Sequence, residues 1–218
     1  MVTAQRKRYY TVEEYLALER ADEERHEYLD GQIRPMAGES DAHGAICFNL
    51  AGELRNQLKG TPCQGRTQNM KVRCGPDPKS RQWPKDLFSY PDAIVFCGEP
   101  EFHDKHRDVL LNPKVIIEIL SPSTEAFDRG EKFIRYRAHN DTLTDYILVS
   151  QKRPLIEHFS RQADGKWLMS ATSGPESSLH IPSIDCRIEL SEIYYSVAFP
   201  SEDDETEEDA ETDQTSQE

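Results

Sequence analysis

Asp92 and Glu118 each interrupt an apolar, β-favouring stretch: Tyr90-Pro91-Asp92-Ala93-Ile94-Val95-Phe96-Cys97 and Lys114-Val115-Ile116-Ile117-Glu118-Ile119-Leu120. Runs this rich in Val and Ile read as strands buried on both faces. A carboxylate placed there loses several kcal/mol of hydration unless something pairs with it. Taken singly, Asp92 reads equally as a strand-start acid after proline and Glu118 as a buried, paired acid. Together, with Lys132 downstream, they are the makings of a site that collects a divalent cation. Side chains alternate along a strand, so Asp92, Ile94 and Phe96 share a face, as do Lys114, Ile116, Glu118 and Leu120. On neighbouring strands the two carboxylates would converge at one end of a sheet, where each raises the other's pKa. A cation removes that repulsion, and hard oxygen ligands with open positions suit Mg²⁺, with Mn²⁺ as a substitute. Such an ion lowers the pKa of its bound water and stabilises charge growing on a phosphate. The Lys132 ammonium could orient the attacking water or neutralise the pentavalent state.

The elements that must position these groups are legible in outline. Thr11-Val-Glu-Glu14 is a capping box opening a short amphipathic helix with Tyr15 and Leu16. Asp30-Gly31 between apolar residues predicts a hairpin turn. Ser40 caps a longer helix whose Ala42, Ile46, Leu50, Leu54 and Leu58 recur at helical spacing, with Thr61-Pro62 beyond its end. Residues 63–74 read as one or two strands, 75–83 as a loop, and Gly98 to Asn112 as a polar loop joining the two acid-bearing strands. Ser121-Pro122-Ser123-Thr124 breaks the chain. Asp128 with Glu131 reads as a second capping box for a helix to about His139, putting Lys132 on its fourth position. A buried strand at 144–150 and two or three later strands around 154–160, 166–172 and 179–188 complete the pattern. The order predicts a mixed α/β (α+β) domain with a central mixed β-sheet flanked by helices.

Composition narrows the class. The chain has 218 residues and a net charge of −14, but its last 18 residues hold ten acids and no Lys or Arg, so residues 1–200 carry only −4. The expectation is one folded domain over 1–200 and an acidic tail over 201–218 that lacks the apolar side chains needed to stay ordered. The balance is not that of a typical phosphate binder, although Arg6, Lys7 and Arg8 cluster near the start. Cys47, Cys63, Cys74, Cys97 and Cys186 are scattered and without a C-x-x-C pair, which reads as free thiols in a reducing cytoplasm. No stretch has the length and apolarity of a signal peptide or a membrane span. His103 and His106 have ligand-like spacing in a loop without further ligands, which argues against zinc.

The ordered set of motifs resembles the Uma-two family of restriction endonucleases, within the PD-(D/E)XK nuclease superfamily. It consists of Glu27 with Tyr28-Leu29-Asp30-Gly31, then Tyr90-Pro91-Asp92, Ile117-Glu118-Ile119-Leu120-Ser121-Pro122-Ser123-Thr124, Asp128 with Lys132 and Tyr136, and Asp145-Tyr146-Ile147-Leu148-Val149. The resemblance runs from about Tyr9 to Phe199 and implies a restriction-endonuclease-like core. It implies that Asp92 and Glu118 bind metal, with the Ile119 carbonyl completing the shell. The superfamily's usual lysine position, two after the acid, is Leu120 here, and Lys132 on the next helix matches the place to which this family moves it. Glu27 matches an acid that related nucleases place at the entrance of the site.

Each of these residues has a plainer alternative. Lys132 could be a solvated helix residue, Glu27 part of the solvated charge run from Asp22 to Glu27, and His43 a packed histidine at the core edge that supports the site at most. The leading expectation is a Mg²⁺-dependent endonuclease that hydrolyses phosphodiester bonds in DNA, using Asp92, Glu118 and Lys132, with Glu27 and His43 in support. The alternative is a nuclease-fold module that binds nucleic acid or protein without catalysis. Nucleic acid, and a second copy of the chain in a homodimer, are the expected partners. A basic rim drawn from Arg66, Lys71, Arg73, Arg129, Lys132 or Arg135 would favour the enzyme, and an acidic one the module.

Overall fold

The computed structural model of the protein describes residues 8–36, 38–76 and 86–199. Helix α1 (Val12–Glu19) is opened by the expected box, Thr11 Oγ1 accepting from the Glu14 N–H and Glu14 bonding back to the Thr11 N–H. Strands β1 (His26–Leu29) and β2 (Gln32–Pro35) form the expected hairpin, with Asp30 and Gly31 both at positive φ (52° and 90°). Helix α2 (Asp41–Leu58) follows its Ser40 cap. Strands β3 (Cys63–Thr67), β4 (Lys71–Cys74), β5 (Leu87–Ser89) and β6 (Ala93–Cys97) come next, then β7 (Val109–Leu110) and β8 (Val115–Leu120). After the helical segment described below come β9 (Asp145–Ser150), β10 (Leu155–Arg161), β11 (Trp167–Ser173), β12 (Ser178–Ile181) and β13 (Cys186–Glu189).

Six strands make the central sheet in the order β11-β10-β9-β8-β6-β3, antiparallel except for the parallel β8–β9 pair. A five-stranded sheet, β2-β1-β5-β4-β7, lies against it. All six residues of β8 are buried, as a strand covered on both faces requires. One face presents Val95, Val115, Ile117, Ile147 and Val149 to Ile46, Leu50 and Leu54 of α2 and to the β12–β13 hairpin. The other presents Ile94, Phe96, Ile116, Leu120 and Tyr146 to the five-stranded sheet and to Phe133 and Tyr136. Helix α1 packs Tyr15 and Leu16 on Tyr28, Phe88 and Val109 of the second sheet. This is the expected mixed α+β arrangement around a central sheet.

Several local expectations need correcting. The helix after Thr124 starts with α3 (Glu125–Phe127), widens into a π-helical turn over Asp128–Lys132, and continues as α4 (Phe133–His139). Asp128 is therefore not a cap; it lies inside the helix and is 2% exposed. The polar loop contains β7, which pairs parallel with β4. Residues 179–188 are two strands, separated by a 3₁₀ turn (Pro182–Ile184) and by Asp185 at φ 52°. A further short helix, α5 (Leu190–Ile193), follows. The free-thiol reading fails for two cysteines: the β3–β6 register sets Cys63 opposite Cys97, and they are disulfide-bonded. Their separation of 34 residues hid this pairing, while Cys47, Cys74 and Cys186 are free. No helix among the described residues is long and apolar enough to cross a membrane. Arg6, Lys7, residues 77–83 of the expected loop and the acidic tail 201–218 lie outside the described residues.

Candidate active site

Strands β6 and β8 run antiparallel with Ala93 opposite Ile117 and Ile94 opposite Ile116. One step further along that register sets Asp92 opposite Glu118, on the side where Ile94, Ile116 and Leu120 meet the second sheet. Both acids are buried, at 9% and 3% exposure. Asp92 is held from three directions. Its Oδ2 accepts from the Ile119 backbone N–H at 2.7 Å, and its Oδ1 accepts from Gln68 Nε2 at 3.3 Å. Oδ1 also shares a hydrogen bond of 2.9 Å with His43 Nε2. His43 comes from the first turn of α2, which Ser40 caps through the His43 N–H. Burial pulls the His43 pKa down, but the Asp92 hydrogen bond and charge outweigh it and leave it raised.

Glu118 faces the π turn. Lys132 Nζ lies 3.2 Å from Glu118 Oε1, 2.7 Å from Asp128 Oδ1 and 3.7 Å from Glu27 Oε1. Desolvation lowers the Lys132 pKa, but Glu118, Glu27 and Asp128 together hold it well above the usual lysine value. Burial first, then the charges of Asp128, Asp92 and Glu27, push Glu118 well above the usual carboxylate range against the pull of Lys132. Although Lys132 is within ion-pair distance, it is out of hydrogen-bond alignment: Glu118 Oε1 and Asp128 Oδ1 have no hydrogen-bond partner among the described residues. Leu120, at the superfamily's usual lysine position, is packed in the core between the sheets.

Glu27, His43, Asp92, Glu118, Ile119 and Lys132 all line one cavity of about 950 Å³. Sequence reasoning missed two of the groups beside the acids and Lys132, and three cations further along the cavity wall, Arg25, Arg34 and Lys152. Gln68, in the β3–β4 turn, carries no recognisable signal. Asp128 stood in a motif but was read as a cap, and its place four residues before Lys132 was the available clue.

The basic rim that would favour the enzyme is not made by the residues named for it. Of the six basic residues named for it, only Lys132 lines this cavity. Lys71 pairs with Asp108, Arg73 with Asp86, Arg129 with Glu125 and Glu157, and Arg135 with Asp30 and Glu131. Arg66 lines a separate cavity between α2 and β3. The cations that do line the site, besides Lys132, are Arg25, Arg34 and Lys152.

The donor set suits a hard divalent cation. Two facing carboxylates are present, and one of them has a buried oxygen without a hydrogen-bond partner among the described residues. No group of three or more His, Cys, Asp or Glu side chains among the described residues is arranged to hold a metal.

Comparison with known proteins agrees with this architecture. The profile of the Uma2 family, described as "Putative restriction endonuclease", matches residues 12–191. Two uncharacterized proteins of Synechocystis sp. (strain ATCC 27184 / PCC 6803 / Kazusa) are similar. The first, slr1290, is 35% identical over 86% of this chain and 92% of its own length; sll1609 is 30% identical over 78% and 90%. The fold is similar to a crystal structure from Anabaena variabilis ATCC 29413 described as "a putative nuclease belonging to DUF820". That likeness has a TM-score of 0.67 and 17% identity, and covers 86% of this chain and 99% of that one. The family match runs from α1 into the start of α5 and takes in Glu27, His43, Asp92, Glu118 and Lys132, so the chain belongs to the Uma2 family.

Proposed function

We propose that this protein hydrolyses phosphodiester bonds as a Mg²⁺-dependent endonuclease, with DNA as substrate and Mn²⁺ able to replace Mg²⁺. The observation that supports this reading is the juxtaposition of Asp92 and Glu118 across β6 and β8, with Lys132 3.2 Å from Glu118. Asp92, Glu118 and the Ile119 carbonyl are the groups to hold the cation. When bound, the ion would supply a water of lowered pKa and stabilise charge on the phosphate. The protein's own groups do the rest. His43, Gln68 and the Ile119 N–H fix the Asp92 carboxylate. Lys132, kept protonated by its acidic neighbours, holds a positive charge beside the place where the phosphate oxygens gain charge.

A second reading, a nuclease-fold module without catalysis, draws on a different observation. Asp92 is already satisfied by three donors, and Lys132 already sits among three carboxylates. Titrating Mg²⁺ and Mn²⁺ into purified protein with supercoiled plasmid separates the two. The expected result is metal-dependent nicking that Asp92→Asn abolishes while leaving the protein folded. Undiminished cleavage by Asp92→Asn would sink the metal-site assignment, and a wild type that binds DNA but never cuts it would establish the module.

A further inference from the structure

We infer that Arg25, Arg34 and Lys152 grip the phosphates on either side of the bond to be cut, an inference that rests on the nucleic-acid reading above. The molecule carries a net charge of −14, so a polyanion needs local cations to dock at all. Lys71, Arg73, Arg129 and Arg135 are already committed to carboxylates. By contrast, Arg25, Arg34 and Lys152 line the cavity, and no carboxylate among the described residues forms an ion pair with any of them.

Arg34 makes the case most clearly. The β1–β2 register sets it directly opposite Glu27, the natural partner for a surface guanidinium. Glu27 is instead engaged inward, 3.7 Å from Lys132 Nζ and accepting from the Tyr90 N–H at 3.4 Å. The Arg34 guanidinium rests over the Phe127 ring at 5.6 Å. A guanidinium held by its face against a ring keeps its N–H edge for two oxygens of a phosphate.

Arg25 is similarly held, 6.0 Å from the Tyr90 ring centroid. It donates to the Gln68 carbonyl at 2.9 Å and to Asn69 Oδ1 at 3.2 Å. Because Gln68 also bonds Asp92, this places a phosphate-gripping cation in a chain of hydrogen bonds that ends at the candidate metal ligand. Lys152, exposed in the β9–β10 turn, adds a point charge from a different element.

The test is binding of the full chain to a fluorescent DNA duplex in EDTA, read as the slope of log K against log salt. Each of Arg25→Ala, Arg34→Ala and Lys152→Ala should flatten the slope by about 0.9, the loss of one phosphate contact. Arg34→Lys should keep the wild-type slope yet bind several-fold more weakly, because charge is retained and the bidentate edge is lost. Arg55→Ala, in the separate cavity beside β3, should leave the slope unchanged. Unaltered slopes in the three cavity variants, an equal effect from Arg55→Ala, or no wild-type binding at low salt would each overturn the assignment. Plasmid nicking with unaltered slopes would remove this inference alone. Flattened slopes in a protein that never nicks plasmid would instead remove the catalytic reading and leave the grip intact.

Discussion

At the scale of the residue, Lys132 carries one positive charge into a group of three carboxylates, Glu118, Asp128 and Glu27. Its burial alone pulls its pKa down, and those acids more than reverse that pull. The dependence is mutual, since Lys132 is what opposes the upward push on Glu118 from burial and its acidic neighbours. Lys132→Ala should therefore cost roughly 3–5 kcal/mol of stability, the usual price of leaving buried charge without its partner. Mg²⁺ should recover part of that loss, so the metal-induced rise in Tm should be larger in Lys132→Ala than in wild type. Thermal unfolding with and without Mg²⁺ measures this directly. Equal rises in both proteins would mean that the ion does not answer the same carboxylates.

At the scale of the element, the π turn brings the chemistry to the sheet. Widening the helix over Asp128–Lys132 turns both residues inward, and the Tyr146 hydroxyl donates to the Asp128 carbonyl at 2.9 Å. One turn later, Arg135 fastens the helix to the β1–β2 hairpin, binding Asp30 at 2.9 and 2.6 Å and Glu131 at 2.5 Å. That contact sets where the hairpin's Glu27 and Arg34 stand relative to Lys132. Arg135→Ala should cost roughly 3–5 kcal/mol in urea unfolding, because Asp30 then loses the partner of a buried pair. Nucleic-acid affinity should fall alongside stability as the hairpin loses its anchor. Full affinity in the folded fraction would show that the hairpin is placed by its strand pairing with β5 alone.

At the scale of the whole molecule, charge is distributed unevenly. The last described residues, Ala198 and Phe199, line the candidate active-site cavity, and the ten acids of 201–218 follow directly in the sequence. We propose that those acids compete with phosphates for Arg25, Arg34 and Lys152. Ending the chain after Phe199 should strengthen DNA binding at low salt, with the difference shrinking as salt rises and screening shortens its reach. Affinities that match at every salt concentration would leave the tail a solubilising role.

Sequence alone determined what short-range physics controls. Alternation and β-branched runs placed Glu118 on a strand and Asp92 just before one, Thr11 and Ser40 marked helix starts, Asp30-Gly31 marked the hairpin, and the order of motifs pointed to the family. Each of these signals but the last is complete within a few residues. Tertiary structure alone decided which groups meet: His43 and Gln68 on Asp92, Cys63 on Cys97, Lys132 beside Glu118, and Arg34 left without the carboxylate opposite it. Those pairings follow from strand register and from how the two sheets close over a shared core. Register is set by burying whole faces at once, so contacts between residues tens of positions apart leave no mark in the local pattern of either partner.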